Sequence, residues 1–141
     1  MTARVLDGQA LAKRMQEEMT PDVAAFAKQH GRPPGLGIVL AGNDPASEVY
    51  VSHKVKAGAE AGFRVDLERL PATASLADAL ALVERLNASP AHDGILVQSP
   101  LPKAMGAGAE PAVFDTIDAS KDVDGFGAGT YYDALAVELG G

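Results

Sequence analysis

The sequence predicts an α/β fold, a mainly parallel sheet with helices on both faces. Three observations carry this. Apolar runs of strand length stand at residues 35–41 and 94–97, a two-residue alternation stands at 63–68, and helical stripes lie between them. Strand, helix, strand, helix, strand at this spacing is the pattern of βαβ units, whose crossovers place helices on the faces of a parallel sheet.

Leu11, Met15, Met19, Val23 and Phe26 recur at steps of four or three and line one face of a helix running up to His30. Pro21 cannot donate an interior helix bond, so the spacing predicts a kink there or a restart capped by Thr20. Gly31-Arg32-Pro33-Pro34 breaks the chain, and Gly35 to Ala41 is a buried strand. Gly42-Asn43-Asp44-Pro45 turns it, and Ser47 to Ala61 reads as a helix closed by Gly62 in a left-handed cap. Phe63, Val65 and Leu67 alternate with Arg64, Asp66 and Glu68, which suits a strand toward a sheet edge with one wetter face.

Ser75 with Asp78 three residues on resembles a capping box, and Leu76, Leu80, Val83 and Leu86 follow it on one stripe. Gly94-Ile95-Leu96-Val97 is the third strand and leads into Gln98-Ser99-Pro100-Leu101-Pro102, whose prolines end it. A helix over 109–117 completes the pattern; beyond Lys121 no strong periodicity is left. Ligands of such sheets sit beyond the carboxyl ends of the strands, which directs attention to the loops after Ala41, Leu70 and Val97.

A chain of 141 residues suits one domain with a real core. Twelve basic and nineteen acidic side chains give a formal charge of -7, which opposes attraction to nucleic acid phosphates or an anionic membrane surface and favours a small-molecule substrate. With no cysteine, neither disulfides nor thiolate metal sites hold the fold. No apolar run is long enough for a membrane span and the first residues lack a secretory apolar stretch, so the expectation is a soluble, cytoplasmic protein.

Tyr50 and Lys54 are four apart, hence on one helix face, where both can meet one ligand. A lysine beside an aromatic ring in a partly desolvated cleft is suited to proton transfer. Spacing alone leaves a plain solvated pair open, and the same holds for His53 and Lys56. Gln98 ends a strand, where its amide can face a polar heterocycle or Lys54, or simply satisfy loop backbone. Pro100 and Pro102 stiffen that loop. Asp122-Val123-Asp124-Gly125-Phe126 offers two carboxylates able to accept paired N–H bonds from an aminopyrimidine, or to remain solvated. Neither Gly35-Leu36-Gly37 nor Gly125-Phe126-Gly127 has the strand-to-helix setting of a dinucleotide fingerprint. No Gly-x-Ser-x-Gly elbow or metal-spaced histidine pair is present, so a hydrolase of that type and a metal site are not expected.

In order, Leu6-Asp7-Gly8, Pro34-Gly35-Leu36, Gly42-Asn43-Asp44-Pro45-Ala46-Ser47, Tyr50 through Lys56, Asp93 through Lys103 and Lys121 through Phe126 resemble the bifunctional methylenetetrahydrofolate dehydrogenase/methenyltetrahydrofolate cyclohydrolase family. The resemblance implies an amino-acid-dehydrogenase-like N-terminal domain with Lys54 as the catalytic lysine that handles protons around the one-carbon bridge. Tyr50 would pack along the folate, Gln98 would hold the lysine, and Asp124 would anchor the pterin ring, with Pro100 and Leu101 also at the substrate. Residues 1–126 would form the folate-binding catalytic domain and 127–141 a divergent tail, since Gly127-Ala128-Gly129-Thr130 departs from the family's pattern. Ser99 departs as well, standing where the family commonly has an apolar residue.

The family oxidises 5,10-methylenetetrahydrofolate with NADP and hydrolyses 5,10-methenyltetrahydrofolate to 10-formyltetrahydrofolate, steps of one-carbon metabolism that feed purine biosynthesis. These residues carry no Rossmann domain for NADP, so the resemblance implies at most folate binding and cyclohydrolase activity. A folate-binding module without turnover, a structural remnant, or the catalytic domain of another amino-acid-dehydrogenase-like enzyme are the alternatives. Tetrahydrofolate derivatives are the expected partners, and a homodimer is compatible with the resemblance.

Overall fold

A computed structural model of the chain describes residues 3–129. Among them a three-stranded parallel sheet has the order β2-β1-β3, with β1 at Gly35–Ala41, β2 at Arg64–Leu70 and β3 at Gly94–Val97. β1 is central, which is why it is nearly continuous apolar sequence, while β2 lies at an edge and alternates. Helix α1 spans Gly8–His30, α2 Pro45–Glu60, α3 Leu76–Ala88 and α4 Ala109–Thr116.

Strand parity divides the core. Val39, Ala41, Ile95 and Val97 point to one face, where Ala79, Leu82, Val83 and Leu86 of α3 and Val113 of α4 close over them. Ile38, Leu40 and Leu96 point to the other face and meet Val51 of α2, flanked by Leu36, Val55 and Leu67. Helices thus cover both faces, as the sequence predicts.

The caps follow the local chemistry. Asp44 accepts from the Ser47 N–H at 2.8 Å and starts α2, a contact that holds its carboxyl below the ordinary value. Ser75 and Asp78 form both halves of the capping box. Gly62, at φ 92°, ends the α2 region in the left-handed conformation that glycine adopts without a steric cost, one residue after the Ala61 cap.

In α1 the alternative of a restart capped by Thr20 is overturned: the helix runs through Pro21, and Thr20 sends its hydroxyl back to the Gln16 carbonyl at 3.1 Å. A proline removes one interior donor, which a helix of 23 residues tolerates. Of its apolar stripe only Val23 is buried, while Leu11, Met15 and Met19 are exposed.

Two polar clamps tie the lower loops to the strands. Asp93 takes both Arg32 guanidinium nitrogens at 2.7 and 2.9 Å and the Gly35 N–H at 2.8 Å. The Arg32 bonds hold its carboxyl down at about 2 against the opposing effect of burial, with the Gly35 N–H assisting. His92, almost fully buried, bridges Asp66 at 2.8 Å and Ser89 at 2.7 Å. No helix among the described residues is long and apolar enough to cross a membrane.

Candidate functional site

β1 and β3 are neighbours, yet the chain leaves β1 for α2 on one face and leaves β3 for α4 on the other. Connections that diverge in this way open a crevice beyond the strand ends, the place where α/β sheets bind ligands. Gln98 stands at that point because its N–H extends the ladder to the Val39 carbonyl at 2.9 Å.

Lys54, on the third turn of α2, is half-buried and donates from Nζ to Gln98 Oε1 at 3.0 Å across 44 residues of sequence. An ammonium has no acceptor to offer, so the amide must present its oxygen to it, and the amide nitrogen needs an acceptor elsewhere. The Ser99 carbonyl supplies it at 3.0 Å. Buried Ser47 points its hydroxyl at that same carbonyl at 3.4 Å.

Lys54 lies on the wall of a cleft of about 830 Å³ between α1, α2 and the sheet, lined by Met15, Met19, Leu36, Phe63, Leu96 and Val123. Asp124 lies on the same lining. Its neighbour Asp122 is used differently, since its two oxygens accept the N–H groups of Gly125 at 3.0 Å and Gly127 at 2.9 Å. The pair of carboxylates is therefore split: Asp122 shapes the turn, and that turn presents Asp124 to the cleft.

Tyr50 sits one turn before Lys54 and is 60% exposed, outside the cleft's lining. Pro100 and Leu101 border a different groove, against Gly42 to Pro45, and the Leu101 side chain is turned into the core. Lys54 and Asp124 thus line one cleft, Gln98 joins it through its bond to Lys54 without being on the lining, and Tyr50, Pro100 and Leu101 stand outside that lining. His53 and Lys56 remain exposed, Lys56 pairing with Glu60 at 4.0 Å.

Sequence reading missed Ser47 and the cleft itself. Ser47 had a signal in its place in the first turn of α2, three residues before Tyr50; the cleft had none, because helical spacing shows which residues share a face of α1 and not what that face meets.

Neither glycine run is a phosphate loop: a Cβ on Gly35 would collide with the Ala91 carbonyl oxygen, so that glycine serves close packing, and the N–H groups of Gly125 and Gly127 are taken by Asp122. Among the described residues no group of three or more His, Cys, Asp or Glu is placed to hold a metal ion. The tail expected at 127–141 lies outside the described residues from Thr130 onward; Gly127 and Ala128 are fixed by the Asp122 and Asp115 carboxylates.

Residues 6–124 match the sequence model of the tetrahydrofolate dehydrogenase/cyclohydrolase catalytic domain. Among relatives, the "Bifunctional protein FolD" of Acidiphilium cryptum is 54% identical over 127 residues, covering 89% of this chain and 43% of that protein. The protein of the same name from Rhodopseudomonas palustris (strain TIE-1) is 48% identical over 125 residues, covering 89% and 41%. Among solved structures, a 5,10-methylenetetrahydrofolate dehydrogenase from the silkworm Bombyx mori superposes with a TM-score of 0.86 at 33% identity, covering 96% of this chain and 46% of that one. The Trypanosoma brucei methylenetetrahydrofolate dehydrogenase-cyclohydrolase, solved with NADP cofactor and an inhibitor, gives 0.77 at 36% identity over 86% and 41%. The chain thus spans less than half the length of the relatives it matches.

Proposed function

The chain belongs to the tetrahydrofolate dehydrogenase/cyclohydrolase family, and from that premise we propose that its cleft binds a reduced folate and hydrolyses 5,10-methenyltetrahydrofolate to the 10-formyl form. The observation that carries this reading is the Lys54–Gln98 bond at 3.0 Å on the wall of an apolar cleft that also presents Asp124. An aminopyrimidine ring offers two N–H groups in a plane, and a carboxylate accepts both; Asp124 is placed to hold the pterin in this way. Tyr50, exposed one turn before Lys54, would pack along the rest of the folate.

In the hydrolysis, water adds to the cationic one-carbon bridge, the carbon–N5 bond opens, N5 takes one proton and a second is released. Lys54 is the proton-handling group at that bridge, and Gln98 holds its nitrogen in place. Oxidation of 5,10-methylenetetrahydrofolate needs a hydride acceptor in addition, and the proposal for this chain is confined to folate binding and hydrolysis. Cytoplasmic localisation and tetrahydrofolate partners follow from the same proposal.

The test is the rate of 5,10-methenyltetrahydrofolate hydrolysis by the pure chain above the buffer rate, with a folded Lys54→Ala variant beside it. A rate that falls at least about 100-fold in the variant is the expected result, the usual scale for a lost acid–base group. A rate equal to buffer overturns hydrolysis, and an accompanying failure to bind the folate overturns the reading as a whole.

A further inference from the structure

Glu110, in the first turn of α4, is used by none of the roles above, yet it is bonded to the loop that carries Gln98. Its Oε1 accepts from the Ser99 hydroxyl at 2.7 Å and from the Leu101 N–H at 2.9 Å. Both donors lie on the segment leaving β3. The Ser99 carbonyl is in turn the acceptor for Gln98 Nε2, and Gln98 Oε1 is the acceptor for Lys54. Bonds therefore run without interruption from Glu110 through Ser99 and Gln98 to the lysine.

We propose that Glu110 and Ser99 are a positioning pair for the Lys54 site: they anchor the loop so that the Ser99 carbonyl holds the Gln98 amide with its oxygen toward the lysine. The proposal deepens the folate reading and rests on it for the reaction, while the positioning itself is open to direct observation.

A side-chain amide has two nearly isosteric orientations, and the flipped one would set Nε2, a donor, against the ammonium, also a donor. The ammonium disfavours the flipped form, and an acceptor for Nε2 on the far side reinforces the productive orientation. That acceptor is the carbonyl of an exposed loop residue, beyond the point where Gln98 N–H makes the strand's last ladder bond to Val39. Buried Ser47 reaches that carbonyl at 3.4 Å, a long contact, and the shorter bonds of Glu110 to Ser99 and Leu101 fix the loop that carries it. A carboxylate that receives a hydroxyl and a backbone N–H on one oxygen supplies the anchor, because hydrogen bonds to an ionised acceptor are stronger than neutral ones. Glu110 touches neither Lys54 nor the cleft lining, so its effect is exerted through the loop.

The experiment is heteronuclear NMR on the full chain, reading the Gln98 side-chain amide pair and the Lys54 Cε resonance in Glu110→Ala, Glu110→Gln and Ser99→Ala. The kcat and KM for 5,10-methenyltetrahydrofolate are measured in parallel. In Glu110→Ala both resonances are expected to move toward solvent-exposed values, with kcat down about tenfold and KM within about twofold, as for a displaced reacting group. Glu110→Gln keeps an acceptor oxygen and restores most of kcat; Ser99→Ala falls between. Unchanged Gln98 and Lys54 resonances in Glu110→Ala overturn the proposal, since Glu110 would then only staple α4 to the loop, and if that variant does not fold, unchanged resonances in Ser99→Ala overturn it equally. A wild-type chain without hydrolysis whose variants still shift Gln98 and Lys54 would sink the folate reaction while upholding the positioning.

Discussion

The two faces of the sheet are finished to different degrees. Over the face of Val39, Ala41, Ile95 and Val97, helices α3 and α4 close a continuous apolar cluster that extends to Leu101, Met105 and Ile117. Over the face of Ile38, Leu40 and Leu96, α2 covers one side, while the space between α2 and the first half of α1 remains a cleft. Both faces are built from the same three strands, and strand residues of opposite parity serve opposite purposes: Val39 of β1 is locked under α3, whereas Leu36 of β1 and Leu96 of β3 floor the cleft beside Lys54. The closed face holds the fold together, and the open one leaves a lysine, an amide and a carboxylate accessible to a ligand.

If that division is right, substitutions on the two faces should fail in different ways. The largest effect is expected on the closed face, where Leu86→Ala empties a site 2% exposed and should cost about 3 kcal/mol in denaturant unfolding. An effect below about 1 kcal/mol would mean that this face is not the main source of stability. Next comes Asp124→Asn on the open face, which should leave the unfolding midpoint unchanged and weaken folate binding by about 10 to 100-fold, the value of a charge-assisted pair. Asp122→Ala should lower the unfolding midpoint and weaken folate binding together, because its oxygens hold the Gly125 and Gly127 backbone of the turn that presents Asp124; a titration calorimeter and a melt on both variants check this, and an Asp122→Ala variant with unchanged binding would show that the turn does not position Asp124.

A smaller effect concerns acid. The Asp93 carboxyl lies below its unfolded value, so its contribution is fully present above pH 4 or so and fades as the pH falls toward about 2, where the folded carboxyl takes its proton. Both side chains are about one-third exposed, so solvent screening reduces the contribution to about 1 kcal/mol. Asp93→Asn should flatten the acid limb of the stability curve in that window, and an unchanged limb would exclude the pair as its source. The smallest effect is expected at Met15, 59% exposed on the cleft wall, where Met15→Ala should change stability by no more than about 0.5 kcal/mol. A larger loss would show that the open face is packed in solution.

The strands, the α3 capping box and the edge position of β2 were legible because each depends on local pattern: a period of two, a cap three residues from its partner, a break at Gly-Pro. The continuity of α1 through Pro21 was not, since the sequence shows the lost donor but not the Thr20 hydroxyl bond that accompanies the helix through it. Lys54, Gln98 and Asp124 were legible as candidates only through their resemblance to a family, because spacing could not separate a ligand site from a solvated surface. Pro100 and Leu101 adjoin Gln98 in sequence and border a second groove, a placement that the sequence does not show.

What the sequence determined by itself is the order and kind of elements, the parallel character of the sheet and the family, since these follow from periodicity, caps and ordered motifs along the chain. The tertiary structure alone decided that Lys54 meets Gln98, that Asp122 and Asp124 part company, and that Glu110 reaches Ser99 and Leu101. The physical reason is that these contacts join side chains across strand order and loop direction, where a hydrogen bond depends on ångström-scale placement that no local pattern in one chain encodes.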